Sequence, residues 1–126
     1  MITTLSLSKW AALFAIQAAL SVAAGAFGAH ALTTILDLKA LGWWQTASQY
    51  LMYHSLAGLA VSMSSLALKA PRILLLFSVG NLLFAGSLYL MALSGLTFLG
   101  AVTPLGGLCY LMAWGLLALR LWRAST

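Results

Sequence analysis

Charged side chains fall at so few points along this chain that they, more than any periodicity, divide it. Uncharged stretches run from 10 to 36, 40 to 68 and 73 to 119, lengths of 27, 29 and 47 residues. One helical crossing of a bilayer takes about 20 apolar residues, so the first two stretches hold one span each. A helix through all of the third would be roughly 70 Å long at about 1.5 Å per residue, against a hydrocarbon core of about 30 Å. It therefore holds two spans, hinged where Gly95 and Gly100 bracket Thr97-Phe98-Leu99. The pattern predicts an all-α polytopic membrane protein. It is a four-transmembrane-helix bundle in one domain, 1–126, with spans near 10–29, 46–68, 73–94 and 104–122.

Between the first two spans, Thr34 followed by Asp37 reads as a loose capping box and Gly42 as a stop, which predicts a short helix over about 35–41. Leu32, Ile35, Leu36 and Leu41 would face lipid while Thr33, Asp37 and Lys39 face water, so this helix is expected in the outer interface. Thr103-Pro104 supplies a capping hydroxyl and a first-turn proline for the fourth span. Lys9 ahead of an apolar run ending Val22-Ala23-Ala24-Gly25-Ala26 has the outline of a secretory signal, but the run is long enough to cross. It is read as a retained helix.

Composition agrees with lipid as the solvent: 63% of residues are hydrophobic and 6% charged, and mean hydropathy is +1.05. A single acidic residue and a single cysteine, Cys109, leave no carboxylate pair for acid–base chemistry and no Cys/His cluster for zinc. The glycines lack the spacing of a phosphate loop or dinucleotide fingerprint. No catalytic residue, cofactor or metal is expected, and the chain is read as a non-enzyme. The net charge of +5 is a topology signal rather than a nucleic-acid footprint. With four spans, Lys9, Lys69, Arg72, Arg120 and Arg123 share one side and Lys39 the other, which places both termini in the cytoplasm. Trp10 and Trp122 mark that edge, and Trp43-Trp44 the opposite one.

The small and polar residues inside the spans carry the rest. Gln17, Ser21, Gly25 and Ala29, with Ala24 and Gly28 adjoining, form a packing stripe on the first span. Gly86, Gly106 and Gly107 are expected at further helix contacts. On the second span Thr46, Gln49, Tyr50, Tyr53 and His54 recur at three- and four-residue steps and must point away from lipid. Ser78, Asn81 and Tyr89 from the third span, with Thr103 and Tyr110 from the fourth, can converge on them between the midplane and the outer interface. His30 and His54 admit three readings. They are hydrogen-bonded helix locks, contacts to a quinone-like headgroup, or a bis-histidine haem site, against which their unequal depths count.

Gly25-Ala26-Phe27-Gly28-Ala29-His30-Ala31-Leu32, Thr46-Ala47 with Tyr50 and Tyr53-His54, Phe84-Ala85-Gly86-Ser87-Leu88-Tyr89, and Gly100-Ala101-Val102-Thr103-Pro104-Leu105-Gly106-Gly107 with Trp114 stand in order along the chain. Together they resemble the YgdD-like family of small inner-membrane proteins, a domain of unknown function. Ala31 and Ala113 stand where many relatives carry glycine. The resemblance implies a multi-pass protein of the bacterial inner (plasma) membrane with four helices and no established activity or cofactor. Three functions compete. The first is an accessory or assembly subunit of a membrane complex, with another membrane protein or a second copy as partner besides membrane lipids. The second is a lipid- or quinone-binding protein with a polar pocket. The third is a minimal transporter, which lacks here the intramembrane carboxylate that couples protons.

Overall fold

The computed structural model describes residues 6–64 and 71–124. Every element in them is helical: α1 (Leu7–His30), a 3-10 turn (Leu32–Thr34), α2 (Leu38–Ser62), α3 (Pro71–Gly80), a π-helical turn (Asn81–Ala85), α4 (Gly86–Ser94), a second 3-10 turn (Thr97–Ala101) and α5 (Thr103–Ala124). The π turn joins α3 and α4 without a break, so the described chain forms four long rods. Three of them, Leu7–His30, Pro71–Ser94 and Thr97–Ala124, are long and apolar enough to cross a membrane. The 25-residue α2 has the length, but Lys39, Gln45, Thr46, Ser48, Gln49, His54 and Ser55 dilute its apolarity.

The expected interfacial helix over 35–41 does not form as a separate element. Thr34 closes a 3-10 turn, and it is Asp37 that caps, its carboxylate accepting from the Ala40 N–H at 2.8 Å to start α2 at Leu38. Gly42 lies inside the helix. A mid-helix glycine costs about 1 kcal/mol, which the cap and the buried Ala40 and Trp44 on either side offset. The second rod thus begins eight residues before the expected position 46, and its midpoint lies near Tyr50. The expected end at 68, with Lys69, lies outside the described residues.

At the other hinge the expectation holds. Gly95 takes φ +74°, a left-handed conformation open to glycine, and its N–H returns to the Met91 carbonyl at 2.8 Å to close α4. The Thr103 hydroxyl, expected as a cap for its own helix, instead meets the Ser87 hydroxyl of α4 at 2.6 Å.

Packing runs α1 along α2, α2 against α3 and α4, and α5 along α3 and the π turn. Trp10 and Phe14, Val61, Ile73, Leu74 and Phe77, and Tyr110 and Ala113 bring all four rods together in one cluster, with Phe14, Leu74, Phe77 and Ala113 fully buried. Glycines set the closest approaches. Gly28 lies under the Trp44 indole and Gly58 under the Phe14 ring, pairing α1 antiparallel to α2. Gly106 lies directly on the backbone of Phe84. The expected packing set is only partly right. Ser21 and Gly28 are buried in contacts, but a methyl at Gly25 would meet Ser48 at an ordinary 3.8 Å, and Gly86 and Gly107 face open space. Adjacent helical positions point about 100° apart, so Gly106 and Gly107 cannot share a contact. Gly80, beside the Tyr110 ring, and Gly58 are tight contacts that spacing did not single out.

Candidate functional site

The middle of the protein is a hydrogen-bonded knot drawn from all four rods. The Asn81 amide N–H donates to Gln17 Oε1 at 2.8 Å and to Ser55 Oγ at 3.4 Å, while Asn81 Oδ1 accepts from the Tyr110 hydroxyl at 2.7 Å. Gln17 Nε2 donates in turn to Ser78 Oγ and to the Leu13 carbonyl, both at 3.3 Å. The Ser55 hydroxyl donates to the Leu51 carbonyl. Gln17 and Asn81 lie near the midpoints of their rods, and inside a bilayer there is no water to replace a lost partner. Asn81 opens the π turn, a geometry that often marks a functional position. Gln17 is therefore a member of this knot as well as of the stripe, and Ser55 joins from a position the three- and four-residue pattern of α2 had passed over.

His54 stands beside the knot in an aromatic box. Its ring lies on that of Tyr110 with centroids 3.5 Å apart and planes within 7°. Phe77 and Trp114 close two more sides, each at 5.9 Å between centroids. His54 Nδ1 lies 2.7 Å from the Tyr50 carbonyl one turn back on α2. A partner on another helix was the expectation; the buried ring instead bonds its own helix and reaches α5 by stacking. The box forms one wall of a groove of about 540 Å³ between α2 and α5, floored by Phe84 and Tyr110 and edged by Tyr50, Gly107 and Trp114. A second cleft, about 430 Å³, lies between α1 and α4 over Leu51, with Gln17, Ser78 and Asn81 at its base.

The remaining expected site residues separate. Tyr89 bonds Ser48 at 2.7 Å and sets its ring edge-on to Trp44, whose indole N–H donates to the Ala24 carbonyl at 2.7 Å. Thr46 is half-buried. Gln49 and Tyr53 do not point inward: Gln49 is exposed and Tyr53 is 54% exposed. A helix face wide enough to hold both 49 and 54 exceeds the arc that neighbouring rods cover. His30 is exposed where α1 ends. The antiparallel pairing of Gly28 with Trp44 and of Phe14 with Gly58 puts it at a different level from His54. The knot lies toward the middle of α1 and of the Pro71–Ser94 rod, while the Ser48–Tyr89 and Ser87–Thr103 pairs lie nearer the Lys39 end. Among the described residues no group of three His, Cys, Asp or Glu side chains is placed to hold a metal ion.

Residues 24–107 match the family model described as "Protein of unknown function (DUF423)". The chain belongs to this family. A "UPF0382 membrane protein" of Haemophilus influenzae is 41% identical over 109 residues, 85% of this chain and 88% of that protein. The "UPF0382 inner membrane protein YgdD" of Escherichia coli K12 is 41% identical over 115 residues, covering 86% and 88%. The Bacillus subtilis "UPF0382 membrane protein YwdK" is 42% identical over 105 residues, covering 79% and 85%. No solved structure matches the chain. The matched DUF423 segment contains Tyr50, His54, Asn81, Phe84 and Gly106, but Gln17, Tyr110 and Trp114 lie outside it. Like its relatives the chain is a membrane protein.

Proposed function

We propose that the protein is a four-span protein of the inner membrane, with both termini cytoplasmic, that acts without chemistry of its own as an accessory or assembly subunit of a membrane complex. The observation that carries this reading is the outward face of α1. Its inward face is buried at Phe14, Ser21 and Gly28 against its neighbours, while Ala12, Ala15, Ala19, Ala23 and Ala26 form a second small-residue stripe that is exposed among the described residues. In lipid, close backbone approach along such a stripe drives helix association. The polar interior supports the same reading, since Gln17, Ser55, Asn81 and Tyr110 are engaged with one another rather than presented to a substrate. Extraction in mild detergent followed by mass spectrometry is expected to return a stoichiometric partner or a homo-oligomer. Ala19→Phe should abolish that association and leave the thermal stability of the separated chain unchanged. A monomer under all mild conditions would overturn the reading.

The basic residues support this orientation, with Lys9, Arg72, Arg120 and Arg123 at one end of the rods and Lys39 at the other. In a Cys109→Ser background, cysteines introduced at Leu38, which is 88% exposed, and at Ala70 should label from opposite sides of the membrane. Labelling of both from one side would remove a span from the count.

A second reading, binding of a lipid- or quinone-class molecule, is favoured by the groove between α2 and α5, where the buried His54 meets space open to the bilayer. Saturable retention of such a ligand by the purified protein is its test.

A further inference from the structure

The groove beside His54 contains an acceptor that the fold leaves unused. The Tyr50 carbonyl has only lone pairs to offer Nδ1, so Nδ1 carries the ring proton. The neighbours are Tyr50, Phe77, Tyr110 and Trp114, with no carboxylate to hold an imidazolium, so the ring is neutral and Nε2 is a bare lone pair. Among the described residues Nε2 has no hydrogen-bond partner, yet no sealed-off side-chain nitrogen or oxygen there lacks one. Nε2 is therefore reached from outside, and His54 borders the groove. The cleft between α1 and α4 differs on this point, because the Gln17, Ser78 and Asn81 polar groups at its base already bond one another.

The walls add a second requirement. Tyr50, Phe84, Tyr110 and Trp114 surround the space with ring faces and edges, which suits a planar ring better than a branched headgroup. Gly107 keeps the mouth open, since a Cβ there would meet no atom within 4 Å. Leu108 and Leu111, 55% and 71% exposed, continue the wall outward as a path for an apolar tail. The volume of about 540 Å³ is within the usual range for a small-molecule site.

We propose that this groove binds the headgroup of a membrane hydroquinone, a planar ring whose hydroxyl donates to His54 Nε2, in preference to the oxidised quinone, which has no hydroxyl to donate. This rests on the ligand-binding reading above and adds the direction of the hydrogen bond. The test uses the full chain in phosphatidylcholine nanodiscs, with empty discs as background, and three tritiated probes: a decyl-substituted hydroquinone, its quinone and its dimethyl ether. The hydroquinone should saturate at one per chain with at least tenfold higher affinity than the other two. His54→Phe, which keeps a flat ring on Tyr110, should erase that preference. Gly107→Leu, whose Cβ meets no atom within 4 Å and whose longer side chain enters the groove, should abolish binding of all three. Equal affinities that Gly107→Leu abolishes would overturn the donor requirement and leave the groove as a binding site. Absence of saturable binding, or binding indifferent to Gly107→Leu, would overturn both. Retention of a phospholipid that the hydroquinone cannot displace would assign the groove to a different occupant and overturn the proposal.

Discussion

Gly106→Ala is expected to destabilise the protein severely, by about 3 kcal/mol, the upper end for forcing a methyl into a packed contact, while Gly107→Ala next to it leaves stability unchanged or raises it. At Gly106 an added Cβ would lie inside van der Waals distance of the Phe84 amide nitrogen and 2.8 Å from both Phe84 Cα and Cβ. Backbone cannot rotate out of the way as a side chain can, so α5 would have to back off from the π turn along its length. That withdrawal would loosen Tyr110 from Asn81 and from His54 together. At Gly107 the added methyl meets nothing, and replacing a mid-helix glycine with alanine favours the helix by up to about 1 kcal/mol. Unfolding in mixed micelles by titration with a denaturing detergent measures both. Equal effects at the two positions would mean that α5 does not sit on the π turn as described.

Asn81→Ala is expected to cost about 2–3 kcal/mol, more than any other single polar substitution in the spans. It removes one side chain and deprives three others of a partner: Gln17 Oε1, Ser55 Oγ and the Tyr110 hydroxyl. A stranded buried polar group costs about 1–3 kcal/mol. A transmembrane side-chain hydrogen bond averages about 0.6 kcal/mol, because the separated helices also find partners. The total expected here lies above one bond because three are lost at once. Tyr110→Phe should cost about 1 kcal/mol, since it removes one bond and keeps the ring on His54. A double-mutant cycle of Asn81→Ala with Gln17→Leu should give a coupling of about 1 kcal/mol. Additive effects would show that the two side chains do not share a bond in the folded protein.

Much of this was legible in the chain because lipid makes the rules strict. With no water to satisfy a backbone, long uncharged stretches must be helices, and the gaps in charge, with the Gly95–Gly100 hinge and Thr103-Pro104, located α1, α5 and the Pro71–Ser94 rod to within a few residues. Gly95 and the Thr97–Ala101 turn were likewise visible as the place where 47 apolar residues had to fold back. The start of α2 was not. Asp37 and Gly42 read locally as one helix ended and another begun, and what runs the helix through Gly42 is the burial of Ala40 and Trp44 against α1 and α4. That contact is set by residues far away in sequence.

The inward polar set shows the same division. The sequence by itself marked His54, Asn81 and Tyr110 for the interior and Gln17 for a helix contact, since an unpartnered polar group in lipid is costly. Tertiary structure alone decided who their partners are. Asn81, the first residue of the π turn, bonds Gln17, Ser55 and Tyr110, and Gly106 lets α5 lie on the backbone of Phe84, close enough for Tyr110 to reach. It also turned Gln49 and Tyr53 outward while leaving His54 in the aromatic box. Periodicity marks a face of a helix, but the width of that face that becomes interior is fixed by the neighbours that cover it, and those neighbours are known only once the rods have packed.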